Sequence, residues 1–386
     1  MPYLKNNLLG SLSPEQFLQD YWQKQPCLIR QAIPDYQCPL SPEELAGLAW
    51  EEGVEARLVL EKGGEHPWQV KYGPFAEPDF RSLPDTHWTL LVEGVEQYHE
   101  KIYTLLDHFR FVPNWRIDDV IISFAATHGG TGSHLDRYDV FLLQGRGRRR
   151  WQINCGAYTE KNFIPDLELR IIGNFHAEQE WVLEPGDLLY LPPGVAHNGV
   201  ALEPCVTLSI GFLAPLSSEL AGNFIDETIS GTAQDTRFAD PGRPLQKYPG
   251  EISSADLDRI GAMMRSSFRD EALLQEWFGK YISRGRGGPE SKRKKPLDAG
   301  GYHKKFREKK TMVRSNGVRT AFIQQHGRLL LFVNGESVPL DRHYLELVIM
   351  ITEQAEIRYR DLEPHASCPE FCELLRGLYN LGMYHF

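Results

Sequence analysis

The chain has 386 residues, 41% of them hydrophobic, and a formal net charge of −10, which is length and apolar content for two or three domains with buried cores. That acidic balance excludes a general nucleic-acid binder, and no apolar stretch approaches the roughly 20 residues that span a bilayer. Six scattered cysteines do not read as a disulfide framework, and the first residues carry no charged-then-apolar signal, so a reduced, cytoplasmic setting is expected.

Along the chain, Ser13-Pro14-Glu15-Gln16 and Ser41-Pro42-Glu43-Glu44 each open a helix, with Ser at the cap and Gln or Glu three positions on. These helices and residues 89–109 are expected to pack outside a β-core. Residues 117–124 form a β-branched run that ends in the glycine-rich turn 128–132. Further short strands are expected at 138–144, 148–153, 188–191 and 206–212, separated by Gly145-Arg146-Gly147, Glu184-Pro185-Gly186-Asp187 and Pro192-Pro193-Gly194. Strands of this length with Gly/Pro turns suggest a sandwich or barrel rather than βαβ units.

Residues 217–283 turn helical, and 254–282 carries apolar residues near a 3.6 period. So apolar a helix pair suits either packing within the monomer or a dimer interface. Residues 284–310 hold eleven Lys/Arg and only three acids, which with the flanking glycines reads as a basic flexible linker able to make a weak RNA contact. A β-meander is expected over 312–340, with turns at Asn316-Gly317 and Asn334-Gly335. Helices follow at 341–353 and 369–380. Cys368 and Cys372 fit one helix face with no second pair nearby, so they read as packing rather than a metal pair.

The chemistry concentrates in the middle of the chain. His134-Leu135-Asp136 puts an imidazole and a carboxylate on one side of a strand, about 6.6 Å apart along it. His197, sixty-one residues after Asp136, supplies a second imidazole from another strand. Two His and one carboxylate are the set that holds Fe(II) on one face and leaves the other positions open. His128 is rejected as a ligand because a six-residue, glycine-rich gap separates it from His134. In Arg148-Arg149-Arg150 the strand alternation puts Arg149 on the face opposite its neighbours, and arginine suits bidentate carboxylate binding. Asp119 shares its parity with Ser123, Tyr138 with His134 and Asp136, and Ser209 with Thr207. Each of these has a structural reading as well: a satisfied hydroxyl, or an ion pair of Asp119 with Arg116 or Arg149.

The runs H-L-D-x-Y-D-V-F (134–141), G-x-G-R-R-R-W (145–151) and E-P-G-D-x-L-Y-x-P-P-G-x-x-H (184–197) resemble the JmjC-type 2-oxoglutarate oxygenases. The likeness is strongest to the bacterial branch that hydroxylates an arginine of a large-subunit ribosomal protein. It extends from Tyr21-Trp22-Gln23-Lys24-Gln25-Pro26 to the helices after the barrel, and weakens in the basic segment and beyond. The resemblance implies a mainly β chain: a double-stranded β-helix (JmjC/cupin-like) oxygenase domain over 1–215, helices at 216–283 that form a homodimer, the linker, and a winged-helix-like domain over 311–386. It also implies Fe(II) on His134, Asp136 and His197, with 2-oxoglutarate and O₂ as cosubstrates. Arg149 is assigned to 2-oxoglutarate, with Ser123 and Thr207 beside it. An arginyl target would meet Asp119, Tyr138 and Ser209. The alternatives are a histidyl hydroxylase, a barrel that only binds RNA or protein, and a cupin-type metal isomerase. The acidic C-terminal region points to protein rather than nucleic-acid contacts.

Overall fold

The computed structural model describes residues 8–61, 68–230, 232, 237–241, 252–285, 296–325, 327–365 and 369–386. The chain divides into two compact units, Met1–Ala214 and Pro215–Phe386. No described helix is long and apolar enough to cross a membrane.

In the first unit, strands β1 (Cys27–Ile29), β2 (Ala56–Glu61), β3 (Trp68–Tyr72), β4 (Trp88–Val92) and β5 (Ile117–Ala125) precede the short β6 (His134–Leu135). Then come β7 (Val140–Arg146), β8 (Arg149–Asn154), β9 (Gln179–Leu183), β10 (Leu188–Leu191), β11 (Ala196–Ala201) and β12 (Cys205–Phe212). Eight strands form one sheet in the order β1-β10-β7-β12-β5-β4-β2-β3, and four form a second in the order β6-β11-β8-β9. All pairings within them are antiparallel.

Side-chain alternation gives the large sheet two faces. Val120, Ile122, Phe141, Leu143, Tyr190, Leu208 and Ile210 point outward into the main core. That core is completed by α1 (Pro14–Asp20), α2 (Pro42–Leu48) and α4 (Glu100–Leu105), while the short α3 (Glu77–Arg81) follows β3. The other face looks toward the small sheet, and Val140, Leu142, Leu189 and Leu191 meet Trp151, Ile153 and Leu183 there. Buried polar side chains, among them Ser123, Gln144, Arg149 and Thr207, share that inner space with the small apolar cluster of Ala125, Ala201 and Cys205. Both serine capping boxes form, at Ser13–Gln16 and Ser41–Glu44. One expectation fails: residues 89–109 are not all outside the barrel, because Trp88–Val92 pairs with β2 and β5 inside the large sheet. Its residues 89–92 are buried on both faces, so they lack the polar alternation that marks a half-exposed strand.

The second unit holds α5 (Ser217–Phe224), α6 (Ser254–Ser266) and α7 (Glu271–Ser283), the last two where the 3.6 period predicts helix. Within 284–310, residues 299–309 are not tether but α8 (Ala299–Lys309), which buries Tyr302 and Phe306; Lys292–Lys295 lie outside the described residues. Strands β14 (Thr320–Gln325), β15 (Arg328–Val333) and β16 (Glu336–Asp341) form the meander, closed by Asn334-Gly335 with positive φ at both positions. β13 (Thr311–Arg314) leaves the meander to pair with β17 (Glu356–Arg358) and β18 (Tyr384–His385). Arg314 explains the departure: its buried guanidinium donates to the Ile351 and Thr352 carbonyls at 3.0 and 3.2 Å, in the last turn of α9 (Leu345–Glu353). α10 (Pro369–Asn380) adds Phe371, Leu375 and Leu378 to the core of this unit; Cys368 is outside the described residues. α7 also belongs to this packing. Gly279 lets it sit against Phe332, whose ring a Cβ would meet at 2.2 Å.

The ring of Phe141 is the hub of the first core, 4.8 Å from Tyr190, 5.1 Å from Phe109, 5.5 Å from Phe17 and 5.7 Å from Phe212. Phe141→Ala is expected to cost about 3–5 kcal/mol, read as a lower urea midpoint with an unchanged slope.

Candidate active site

The register of β6 on β11 places His134 directly opposite His197, with ring centroids 4.3 Å apart. Asp136 lies just past β6, where its carbonyl accepts from the Gly194 N–H at 2.7 Å. One ligand atom from each of the three residues falls within 4.8 Å of the others, a cluster that fits a single ion. Both imidazoles are oriented for it. His134 Nδ1 donates to the Gly132 carbonyl at 2.9 Å and His197 Nδ1 to the Val195 carbonyl at 3.0 Å, which leaves each Nε2 as a lone-pair donor. Burial, with His134 adding to it, pushes the pKa of His197 down to about 4. His197 is therefore neutral near pH 7, and its 3.7 Å approach to Asp136 is that of co-ligands rather than an ion pair.

Deeper between the sheets, register aligns Ser123, Thr207 and Gln144 across β5, β12 and β7. Arg149 reaches them from the opposite sheet. Its guanidinium donates to Ser123 Oγ at 3.2 Å, Thr207 Oγ1 at 3.3 Å and the Gly199 carbonyl at 3.2 Å. It lies 4.8 Å from the Trp151 ring. Arg149 is 3% exposed, and its Nε has no partner. Among the described residues no carboxylate pairs with it. A buried cation without a counter-ion is costly, so a ligand carboxylate entering this chamber fits. Arg148 and Arg150 behave as the alternation predicts and turn outward toward Glu203 and Glu180.

The JmjC-domain family matches residues 104–220. Over almost its whole length the chain is similar to the ribosomal protein uL16 3-hydroxylase of Escherichia coli K12, with 34% identity across 97% of this chain and 98% of that one. The chain belongs to the JmjC-type ribosomal oxygenases. A probable ribosomal oxygenase of Haemophilus influenzae is 41% identical over 61% of this chain and 56% of its own. Among solved structures, the Escherichia coli ribosomal oxygenase YcfD in complex with cobalt and 2-oxoglutarate superposes with a TM-score of 0.84 at 33% identity, covering 97% of this chain and 98% of that one.

In this ribosomal oxygenase a cleft of about 580 Å³ opens at Asp136, lined also by Tyr138, Tyr158, Glu160, Phe163 and Arg170 among others. Asp119 is buried at the inner face of β5, and Gly211 lies between it and Tyr138. A Cβ on Gly211 would stand 3.3 Å from Asp119 Oδ1 and 3.8 Å from Tyr138 Cε2. Partial burial, then Asp136 and Asp119, push the Tyr138 phenol up, so it stays protonated. Ser209 is half-buried on the same inner face, two residues past Thr207. Arg116 stands 3.5 Å from Asp139, and Arg149 is engaged by the two hydroxyls and the Gly199 carbonyl.

Three residues near the site went unread in the sequence. Gln144 accepts from Thr207 Oγ1 at 3.0 Å, which aims the hydroxyl lone pairs at Arg149. Trp151 faces the guanidinium. Gly199 is obligatory, since a Cβ there would come within 2.7 Å of the Trp151 ring and 2.8 Å of Arg149 Nε. Strand parity could have flagged Gln144, which lies on the inner row with Leu142.

Arg149→Lys keeps the charge but loses the planar fork. It is expected to raise KM for 2-oxoglutarate about 10- to 100-fold, the equivalent of roughly 1.5–3 kcal/mol for charged hydrogen bonds. Metal affinity, measured by titration calorimetry with Mn(II), should stay unchanged in this variant and be lost in Asp136→Ala.

Proposed function

We propose that this oxygenase hydroxylates an arginyl side chain of its large-subunit ribosomal protein uL16, with carbon 3 as the site. The name of the Escherichia coli relative supports the protein and the carbon. The observation that supports arginine is a buried carboxylate, Asp119, beside Tyr138, whose phenol also feels the metal ligand Asp136. A guanidinium pairs bidentately with a carboxylate and stacks on an aromatic face. A neutral imidazole gains less from either.

The residues divide the work. His134, Asp136 and His197 hold the metal on one face and leave the cleft side open. Arg149 receives the distal carboxylate of 2-oxoglutarate, with Ser123 and Thr207 as neighbouring hydroxyls. Asp119 and Tyr138 fix the substrate guanidinium, and Ser209 lies within the same inner row to bond the substrate. When bound, Fe(II) with 2-oxoglutarate and O₂ supplies the oxidation, which yields succinate, CO₂ and one oxygen atom inserted into a C–H bond. The protein contributes orientation and exclusion of water.

The exposed residues Leu257, Ile260 and Met264 repeat along one face of α6, and this face supports a homodimer. Leu257→Glu combined with Met264→Glu is expected to shift the oligomer toward monomer in light-scattering chromatography.

The substrate reading is tested by mass spectrometry of recombinant uL16 after incubation with the enzyme, Fe(II) and 2-oxoglutarate. The expected result is a gain of one oxygen on one arginine, lost with Asp136→Ala and reduced at least about tenfold in Asp119→Ala, consistent with removal of a charged contact. Oxygen on histidine instead, or full arginine turnover by Asp119→Ala, would overturn the arginine pocket. No 2-oxoglutarate turnover above the Asp136→Ala background would leave only a binding protein.

A further inference from the structure

Tyr138 and Asp139 are chain neighbours with opposite destinations. Tyr138 lines the cleft, with Gly211 between its ring and Asp119. Asp139 is fully buried behind the large sheet, among the rings of Tyr190, Phe141 and Trp22. A carboxylate there is costly unless paired, and three donors meet it. Tyr190 Oη donates to Oδ1 at 2.6 Å, Gln23 Nε2 to Oδ2 at 2.9 Å, and the Arg116 guanidinium stands 3.5 Å away. The cluster is knitted further. The Gln23 N–H donates to Tyr190 Oη at 2.7 Å, from a residue whose φ of 58° lies in the left-handed region. Arg116 donates to the Leu213 carbonyl at 2.7 Å and lies 5.8 Å from the Trp22 ring. The Asp139 carbonyl accepts from the Phe212 N–H at 3.1 Å, next to Gly211.

Tyr138 itself has no such hold, for among the described residues its hydroxyl makes no hydrogen bond. Its place is set by the backbone on either side: Gly194 pins Asp136 at one end, and the Asp139 cluster pins the other. We infer that Asp139, held by Tyr190, Gln23 and Arg116, is a positioning residue that fixes Tyr138 in the substrate pocket. The two are adjacent in the short link between β6 and β7, one turned into the core and the other toward the cleft, so anchoring the first limits where the second can sit. The segment before β1 thereby acts on substrate recognition through Tyr138. This inference rests on the reading of Tyr138 as a substrate contact.

The test is a double-mutant cycle between Tyr190→Phe and Tyr138→Ala, with KM and kcat for a uL16-derived peptide. Tyr190→Phe keeps the ring packing and removes one donor to Asp139. It is expected to raise peptide KM about tenfold with little change in kcat, in Mn(II) affinity, or in peptide-independent 2-oxoglutarate turnover. In the Tyr138→Ala background the same change should add nothing. Asp139→Asn, which keeps the shape and one acceptor, should fall between wild type and Tyr190→Phe. Additive KM effects, or an unchanged KM in Tyr190→Phe, would overturn the positioning role and leave the pocket reading intact. An unchanged KM in Tyr138→Ala would remove the pocket reading and this inference with it.

Discussion

A guanidinium sealed between two sheets, with no carboxylate paired to it among the described residues, is the constraint on which the site depends. Arg149 is satisfied by two hydroxyls, one carbonyl and the Trp151 face, all neutral or weakly polar partners. Its desolvation is already incurred in the folded chain, so a ligand carboxylate gains the interaction without further rearrangement. The neighbours follow from that arrangement. Gly199 has no room for a side chain, and Gln144 is committed through its amide to the Arg146 and Gly147 carbonyls so that its oxygen faces Thr207.

The metal cluster and the placement of Arg149 were legible in the sequence because strand geometry is local and periodic. A two-residue repeat decides which side chains share a face, so His134 with Asp136, Asp119 with Ser123, and Arg149 against its neighbours could be placed without knowing the partner strands. Buried polar residues whose partners are distant could not. Asp139 meets Gln23 from 116 positions away and Tyr190 from 51, and Thr207 meets Gln144 across 63. No local pattern marks such a residue as buried. The same limit hid β4, a strand buried on both faces and so without alternation.

The second unit shows where turn chemistry suffices and where it does not. Asn334-Gly335 closes a hairpin because both flanking strands belong to the meander. Asn316-Gly317 is an equally good turn, yet β13 goes elsewhere, drawn by the service Arg314 gives to the end of α9. The basic composition of 284–310 likewise concealed α8. Lys304, Arg307 and Lys309 face solvent while Lys305 turns in to donate to Tyr379 Oη at 2.8 Å, and charge counting does not see the two aromatic side chains that hold the helix.

The large sheet also sets an order of events for the newly made chain. Leu28 in β1 pairs with Leu189 in β10, 161 positions later, and the central strand β12 is the last of the sheet to be synthesised. The aromatic core on α1 must therefore wait, partly uncovered, until more than half the chain has left the ribosome. Pairings so remote in sequence fold slowly and leave apolar surface open in the interval.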